Sequence, residues 1–299
     1  MPRSHPPRHP DADAPIAGPA RPAQRRWDLA ALRRRLAIGL ALSAMAILLV
    51  LPLVLIFTEA LSKGLDIALE ALAEPEAWSA IRLTLTVAAI AVPINAICGT
   101  AAAWCIGRFE FPGRALLTTL IDLPFSVSPV ISGLVWVLLF GANGYFGAWL
   151  DRHDVRIVFA LPGLVLATMF VTFPFVARSL ISLMREQGAA EEEAALTLGA
   201  NGWQIFVRVT LPNIFWAMLY GVLLCNARAM GEFGAVAVVS GHIRGQTLTM
   251  PLYVEALFND YEWIGAFSVA ALLSMLALVT LALRMLLEWR IERDRSAGV

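Results

Sequence analysis

The chain has 299 residues, of which 59% are hydrophobic and 15% are charged, and its formal net charge at pH 7 is zero. A mean hydropathy of +0.70 is too high for a water-soluble domain of this length and predicts a membrane protein. The net charge of zero says nothing about partners by itself, and we expect no nucleic acid to bind.

The sequence lacks the motifs of several enzyme classes. Its single lysine, Lys63, is not part of a Gly-x-x-x-x-Gly-Lys-Ser/Thr phosphate-binding loop. The four histidines form no His-Glu-x-x-His pair, and no Gly-x-Ser-x-Gly nucleophile turn occurs. We therefore expect a chain without catalytic activity, without a metal site and without a cofactor of its own.

Both ends of the chain are polar. The first 35 residues are rich in proline and arginine, a composition that does not form a packed core, so we predict a disordered cytoplasmic tail over residues 1–35. This stretch is too long and too polar to begin a cleaved signal peptide, and the apolar run after it is longer than the apolar part of one. Residues 291–299 are predicted to form a cytoplasmic C-terminal tail.

Six long uncharged runs alternate with polar segments between these ends. A helix needs about 20 apolar residues to span a bilayer, and a backbone in lipid must satisfy its own hydrogen bonds. We therefore predict an all-α polytopic membrane protein with six transmembrane helices in one membrane domain, residues 36–290. The six runs are 36–57, 83–107, 123–150, 157–177, 209–227 and 263–283.

The basic residues predict how these helices are oriented. If six helices cross the bilayer, both termini share one side with the segments near 108–114 and 178–208, and that side carries 17 of the 23 Lys and Arg residues. Cytoplasmic loops are enriched in Lys and Arg. We therefore predict that both termini are cytoplasmic.

The segment 122–130 interrupts an apolar run with two prolines and with Ser126 and Ser128. Proline removes a backbone donor and kinks a helix, which leaves carbonyl groups free. The segment is either a kink that serves packing or a stretch of polar groups along a transport pathway.

A polar segment, residues 189–212, lies between two apolar runs, where a short loop would suffice. Its first part has strong helix formers with three glutamates in the first turn, and Gly199 follows where a helix commonly ends in a left-handed residue. A second, more apolar short helix and then the fifth membrane helix are predicted after this turn. The segment is either an amphipathic helix on the lipid surface or a docking element for a cytoplasmic partner.

The spacing in this segment resembles the EAA loop of bacterial ABC-importer permeases, Glu-Ala-Ala-x3-Gly-x9-Ile-x-Leu-Pro, with Val209 in place of the isoleucine. The resemblance implies that the loop docks an ATPase subunit, which binds ATP and Mg²⁺ itself. The residues that match the pattern are Glu193, Ala194, Ala195, Gly199, Val209, Leu211 and Pro212.

A charged pair is predicted near the end of the fifth apolar run. Arg228 and Glu232 are four residues apart and share one helical face, so they can pair. Charges inside membranes are costly and usually face water or one another. The pair is therefore either a structural link between helices or part of a conduit or gate, with Gly231 and Gly234 allowing close contact or a break.

The segment 240–252 is predicted to lie on the outer side. Its polar side chains, Thr247 and Thr249 among them, would donate hydrogen bonds to an arriving anion or contact a binding protein.

Together, the segments at 122–130, 227–241 and 240–252 resemble the W-type permease subunit of sulfate/thiosulfate ABC importers, over about residues 36–290. The resemblance implies a MetI-like ABC-importer permease fold in the bacterial inner membrane. It also implies a homologous T-type permease partner, two ATP-binding subunits and a periplasmic binding protein. The alternatives are a molybdate or tungstate permease, a stand-alone secondary anion transporter, and a membrane anchor without a conduit.

Overall fold

The computed structural model describes the backbone of residues 23–297 and the side chains of residues 33–290 and Arg293. Within this part of the chain, every regular element is helical. In chain order the helices are α1 (Ala23–Ala60), α2 (Leu65–Ala73), α3 (Pro75–Arg108), α4 (Arg114–Ser126), α5 (Pro129–Phe140), α6 (Gly147–Arg152), α7 (Leu161–Gln187), α8 (Ala190–Thr197), α9 (Gly202–Ile205), α10 (Leu211–Met230), α11 (Gly234–Ser240), α12 (Met250–Asn259) and α13 (Trp263–Ala297). A π-helical turn, Phe206–Thr210, joins α9 to α10.

The first helix begins earlier than the sequence predicts. Residues 23–35 are helical, so the prediction of disorder is wrong for this part of the tail, and residues 1–22 lie outside the described residues. The cause is local composition, because this stretch is made largely of Ala, Leu, Gln and Arg, which favour helices. The chain divides into two units at Pro52, the first being α1 up to that residue.

Five helical segments are long and apolar enough to cross a bilayer: Arg33–Ala60, Pro75–Arg108, Leu161–Gln187, Gly202–Met230 and Trp263–Arg290. The sixth candidate is the pair α4 and α5, which is bent by 110°. The interruption predicted for the run 123–150 is therefore present, as a sharp bend between two helices. Pro124 and Pro129 flank the bend and cannot donate backbone hydrogen bonds, which accounts for the break.

Both helices of the bent pair pack against α7. Phe125 at the end of α4 contacts Phe175, with 5.5 Å between ring centroids, and Trp136 of α5 contacts Phe170, 6.3 Å away. Thus α4 packs beside the C-terminal part of α7 and α5 beside its N-terminal part. With this pair counted as one broken span, the number of spans agrees with the predicted six.

Helix α7 is the centre of the second unit. It contributes to two apolar clusters, one formed with α3, α11 and α12 and the other with α3, α4 and α10. Small residues let the neighbours approach closely: a Cβ at Gly99 would lie 3.0 Å from Val176, and one at Gly221 would lie 3.1 Å from the Val176 backbone. The core is thus built around one helix, and that helix holds the others in register.

A buried asparagine adds a polar link to this core. The side-chain amide of Asn95 in α3 donates to the Met169 carbonyl at 3.1 Å and to the Thr172 hydroxyl at 2.9 Å in α7, and it contacts the sulfur of Cys225 in α10 at 3.8 Å. Because an unsatisfied polar group is costly in an apolar environment, these contacts restrict how the three helices can slide.

Candidate functional site: a short polar helix and two helix breaks

The first two glutamates of α8 attach this short helix to the membrane helices. The Nε of Arg108, at the end of α3, lies 2.8 Å from a Glu192 carboxylate oxygen, and the Thr210 hydroxyl donates to the other oxygen at 2.6 Å. Arg108 also donates to the Met184 carbonyl at 2.6 Å. Asn213 donates to Glu191. These contacts fix the base of α8 against α3, α7 and α10.

The next two residues of α8 face away from the protein. Glu193 and Ala194 are exposed, and the Glu193 carboxylate has no ion-pair partner among the side chains that the structure describes. A helix whose base is held by the Glu191 and Glu192 carboxylates therefore presents its opposite face to the surroundings. Of the residues predicted for docking, Pro212 is also exposed, whereas Ala195, Val209 and Leu211 are partly buried.

The turn after α8 adopts the predicted left-handed conformation. Gly199 has φ +85°, which confirms that prediction. The amide groups of Leu198 and Ala200 donate to the carbonyls of Ala194 and Ala195, which closes the end of the helix. Around this turn, Leu198 is 88% exposed and Trp203 is 74% exposed. The projecting tip of the segment is thus apolar although the segment as a whole is polar.

The second helical piece is not a separate helix. A capping box between Asn201 and Gln204 starts α9, and the chain then remains helical through the π turn into α10. The prediction of an independent short helix is therefore wrong. The π turn lies just before Pro212, and its wider spacing accommodates a residue that has no N–H and would crowd the carbonyl four positions earlier.

The predicted ion pair at the end of α10 is present. Arg228 Nη1 lies 2.7 Å from a Glu232 carboxylate oxygen, which confirms the pairing. The structure adds a second contact: the other oxygen of Glu232 accepts a hydrogen bond from the Ala235 N–H at 2.9 Å. Since α10 ends at Met230 and α11 begins at Gly234, the buried Glu232 carboxylate joins the end of one helix to the start of the next.

The two segments singled out by their prolines and glycines meet in space. A Cβ on Gly234 would lie 3.0 Å from Pro129, and one on Gly133 would lie 2.6 Å from the Ala235 carbonyl. The break between α10 and α11, which contains Gly231, therefore packs on the break between α4 and α5. Ser126 and Ser128 are exposed at this junction. Their role along a pathway stays a prediction.

The outer segment serves the fold rather than presenting free donors. Thr247 and Thr249 are buried, and Thr247 Oγ accepts from the Ile243 N–H at 3.0 Å within the segment. Arg244 pairs with Asp260 and with Glu76, and the hydrogen bond that the Arg244 guanidinium donates to Asp260 raises the pKa of Arg244. Thr247 and Thr249 are not accessible in this structure, and their role toward an arriving anion stays a prediction.

Several residues that position the site could not be predicted from the sequence. Arg108 and Asn95 make contacts across 74 to 130 positions, and Thr210 makes its contact across a helix boundary. Arg108 ends its helix with a charge next to an apolar run, which is a signal of a buried partner, but the partner itself cannot be read from one sequence.

Comparisons with known proteins agree with this architecture. Residues 95–290 match the family described as binding-protein-dependent transport system inner membrane component. The sulfate transport system permease protein CysW of Escherichia coli K12 is 55% identical over 259 residues, which cover 87% of this chain and 89% of the relative. The permease protein CysT of the same organism's sulfate transport system is 33% identical over 246 residues, 82% of this chain and 89% of the relative.

A solved structure shares the fold. In a crystal structure of a bacterial alginate ABC transporter bound to its periplasmic protein, one chain aligns with a TM-score of 0.71 at 18% identity, covering 90% of this chain and 98% of that chain. This match confirms the predicted all-α polytopic fold of ABC-importer permeases. The chain is a multi-pass membrane protein, and it belongs to the family of binding-protein-dependent transport system inner membrane components.

Proposed function

We propose that this chain is a permease subunit of an ATP-driven importer of sulfate and thiosulfate, in which it forms half of the transmembrane pathway. The observation that carries this proposal is the 55% identity to a sulfate permease over 87% of the chain. A divalent oxyanion needs such a pathway because an unpaired charge is not tolerated in hydrocarbon.

The second half of the pathway is a homologous T-type permease. Support comes from the relatives, since the chain resembles CysT as well as CysW over more than four-fifths of its length. Two chains with one fold can face each other around an approximate two-fold axis, and homologous surfaces then meet in a single interface. A periplasmic binding protein delivers the anion to the outer side of this pair.

Two ATPase subunits bind on the cytoplasmic side, and they hold ATP and Mg²⁺. The geometry of α8 supports docking there. Glu191 and Glu192 hold the helix in place, while Glu193, Leu198 and Trp203 are exposed around the left-handed turn. Exposed apolar side chains held on a firm base are typical of a surface that a partner covers. ATP binding and hydrolysis then occur in the assembled complex and not in this chain.

The proposed orientation places α8 and both termini in the cytoplasm of a bacterial cell whose inner membrane holds the complex. The bias of Lys and Arg toward one side supports it.

Uptake measurements in a strain that lacks its own sulfate permeases test this function. The chain is expressed with its partner permease, ATPase and binding protein, and uptake of radiolabelled sulfate is followed with thiosulfate or molybdate as competitor. We expect sulfate uptake that thiosulfate inhibits and that ends when the ATPase gene is deleted. Inhibition by molybdate at lower concentration than thiosulfate would indicate a molybdate permease, and uptake without the ATPase would indicate a secondary transporter.

A further inference from the structure

A second ion pair lies between the membrane helices α4 and α7. Two nitrogens of the Arg178 guanidinium each lie 2.5 Å from an oxygen of the Asp122 carboxylate, so the pair is bidentate. Unlike the buried Glu232, both partners are accessible: the side chain of Arg178 is 57% exposed and that of Asp122 is 27% exposed.

Arg178 does not lie at the end of its helix. It lies nine residues before the end of α7, which is roughly 14 Å along the helix axis at 1.5 Å per residue. It directly follows the predicted apolar run 157–177, so its guanidinium lies where the predicted span meets the polar segment 178–208. An exposed charge on a membrane helix is costly against lipid and is found where the helix faces water or a partner.

Polar residues continue from the pair along both helices. On α7, Ser182 and Arg185 follow Arg178 at intervals of four and three residues and are exposed. On α4, Thr119 and Ser126 lie one turn to either side of Asp122 and are also exposed. Residues at these intervals share a helix face. The two faces meet at the ion pair and form one strip, which is polar on α7 and on α4 has exposed Leu116 and Leu123 among its polar residues.

The exposed face of α13 shows the contrast with a surface suited to lipid. Its exposed residues at the same spacing are apolar and include Leu278, Leu281 and Met285. The α7 side of the strip is therefore suited to an aqueous surrounding.

We propose that Arg178 is an anion-binding residue in the inward half of the pathway, and that Asp122 occupies its guanidinium until the oxyanion displaces it. The chemistry fits, because the planar donor fork that binds two carboxylate oxygens also binds two oxygens of a tetrahedral oxyanion. The identity of the anion rests on the proposed function, whereas the exposure of the strip to water is argued from the structure alone.

Competition from Asp122 has a use in transport. A pathway must bind its ion well enough to let it enter and weakly enough to let it leave. A carboxylate that remains beside the guanidinium replaces the anion as it departs, so the arginine is not left unpaired.

Thiol accessibility in the assembled complex tests the location of the strip. Cys98, which is exposed, and Cys105, which is half-buried, are first replaced by alanine, while the buried Cys225 is kept. A charged, membrane-impermeant thiol reagent is then applied to a Ser182→Cys protein and, as the control for a lipid-facing position, to a Leu281→Cys protein. We expect Ser182→Cys to react and saturating sulfate to slow its reaction, while Leu281→Cys stays unreacted. A Ser182→Cys protein that reacts no faster than the control overturns the inference.

Neutralising each partner separately tests the displacement. We expect Arg178→Gln to lower the maximal sulfate uptake by about tenfold or more, because the anion loses its charge-assisted contact. Asp122→Asn should keep uptake and lower the KM for sulfate by about threefold or more, because a competitor is removed. Arg178→Lys, which keeps the charge without the fork, should fall between wild type and Arg178→Gln. Glu288→Gln, which breaks the exposed Arg284–Glu288 pair of α13, is the matched control and should change neither quantity.

A purely structural pair gives a different pattern. In that case Asp122→Asn and Arg178→Gln lower assembly and uptake to the same extent, and this result overturns the proposal. If Arg178→Gln fails to assemble, the other two variants test the proposal. A lower KM for Asp122→Asn and an intermediate uptake for Arg178→Lys support it, and an unchanged KM together with wild-type uptake overturns it. A wild-type complex that moves no sulfate would refute the proposed function, whereas the labelling of Ser182→Cys would still report whether the strip is wet.

Discussion

Glu232 performs two structural tasks with one carboxylate. One oxygen pairs with Arg228 at the end of α10, and the other accepts the Ala235 N–H at the start of α11. A simple ion pair would tolerate exchange of its two residues. Here exchange places an arginine at position 232, and a guanidinium cannot accept a hydrogen bond.

Three variants separate these tasks. Glu232→Gln keeps an acceptor for the Ala235 N–H but loses the charge. We expect it to lower the free energy of unfolding by roughly 1–2 kcal/mol, which is less than for a fully buried pair because Arg228 stays partly solvated. Glu232→Ala also loses the cap, which adds about 1 kcal/mol. The exchange of Arg228 and Glu232 should destabilise at least as much as Glu232→Ala. The measurement is the temperature at which the purified complex loses its monodisperse chromatographic peak, and an exchange variant as stable as wild type would contradict the capping role.

Glu192 and Glu193 are neighbours with opposite surroundings. Glu192 contacts Arg108 and Thr210 with its side chain largely buried, whereas Glu193 is exposed. We expect Glu192→Gln to leave Arg108 without its counter-charge and to loosen α8, because removing one member of a buried pair costs several kcal/mol. Hydrogen exchange of the α8 amides should then rise by about tenfold or more. Glu193→Gln is the control and should leave this exchange unchanged; equal effects of both variants would show that the carboxylates do not hold the helix.

At the scale of elements, the turn at Gly199 directs the exposed tip. A Cβ at this position meets nothing within 4 Å, so the only obstacle to a side chain is the φ of +85°. We expect Gly199→Val to cost roughly 1–2 kcal/mol locally and to reorient Leu198. The protein should insert into the membrane normally but lose co-purification with the ATPase and lose sulfate uptake.

Gly202 offers a matched control for that substitution. It also has open space around an added Cβ, but it begins α9 without a positive φ. Gly202→Ala should therefore bind the ATPase as wild type does. If Gly199→Val also retains the ATPase, the turn is not needed for docking.

The elements that could be predicted are those that local chemistry decides. The three glutamates in the first turn of α8, the glycine turn and the i,i+4 pair of Arg228 and Glu232 all depend on residues close in sequence, and the structure contains them. The continuity of α9 with α10 was not predicted because Asn201-Gly202 and Pro212 resemble boundaries. The π turn that removes the second boundary has no sequence pattern of its own.

The contacts that could not be predicted join distant parts of the chain. The pair of Arg108 and Glu192 and that of Asp122 and Arg178 depend on which helices lie side by side. The 110° bend between α4 and α5 likewise depends on the packing of Gly133 and Gly234 at the junction, since prolines signal a break but not its angle. A single sequence gives no information on these distances.

At the scale of the whole molecule, the bent pair decides the topology. If α4 and α5 together cross the bilayer, both termini lie on one side; if they return to the same side, the termini lie on opposite sides. We expect reporter fusions after residue 290 to be active only as cytoplasmic reporters and fusions near Lys63 or Asp151 to report the outside. A periplasmic C-terminus would refute six spans and would place α8 out of reach of an ATPase.

The unbroken helix from Gly202 to Met230 connects the exposed tip around Gly199 to the Arg228–Glu232 junction mechanically. Its 29 residues make a rod roughly 43 Å long at 1.5 Å per residue. Because Trp203 lies at one end and the break at Gly231 lies at the other, a partner that tilts the rod by about 5° about its base displaces the far end by about 4 Å, more than half a helical turn. The π turn, by letting Pro212 lie within a helix instead of ending one, makes this lever arm possible.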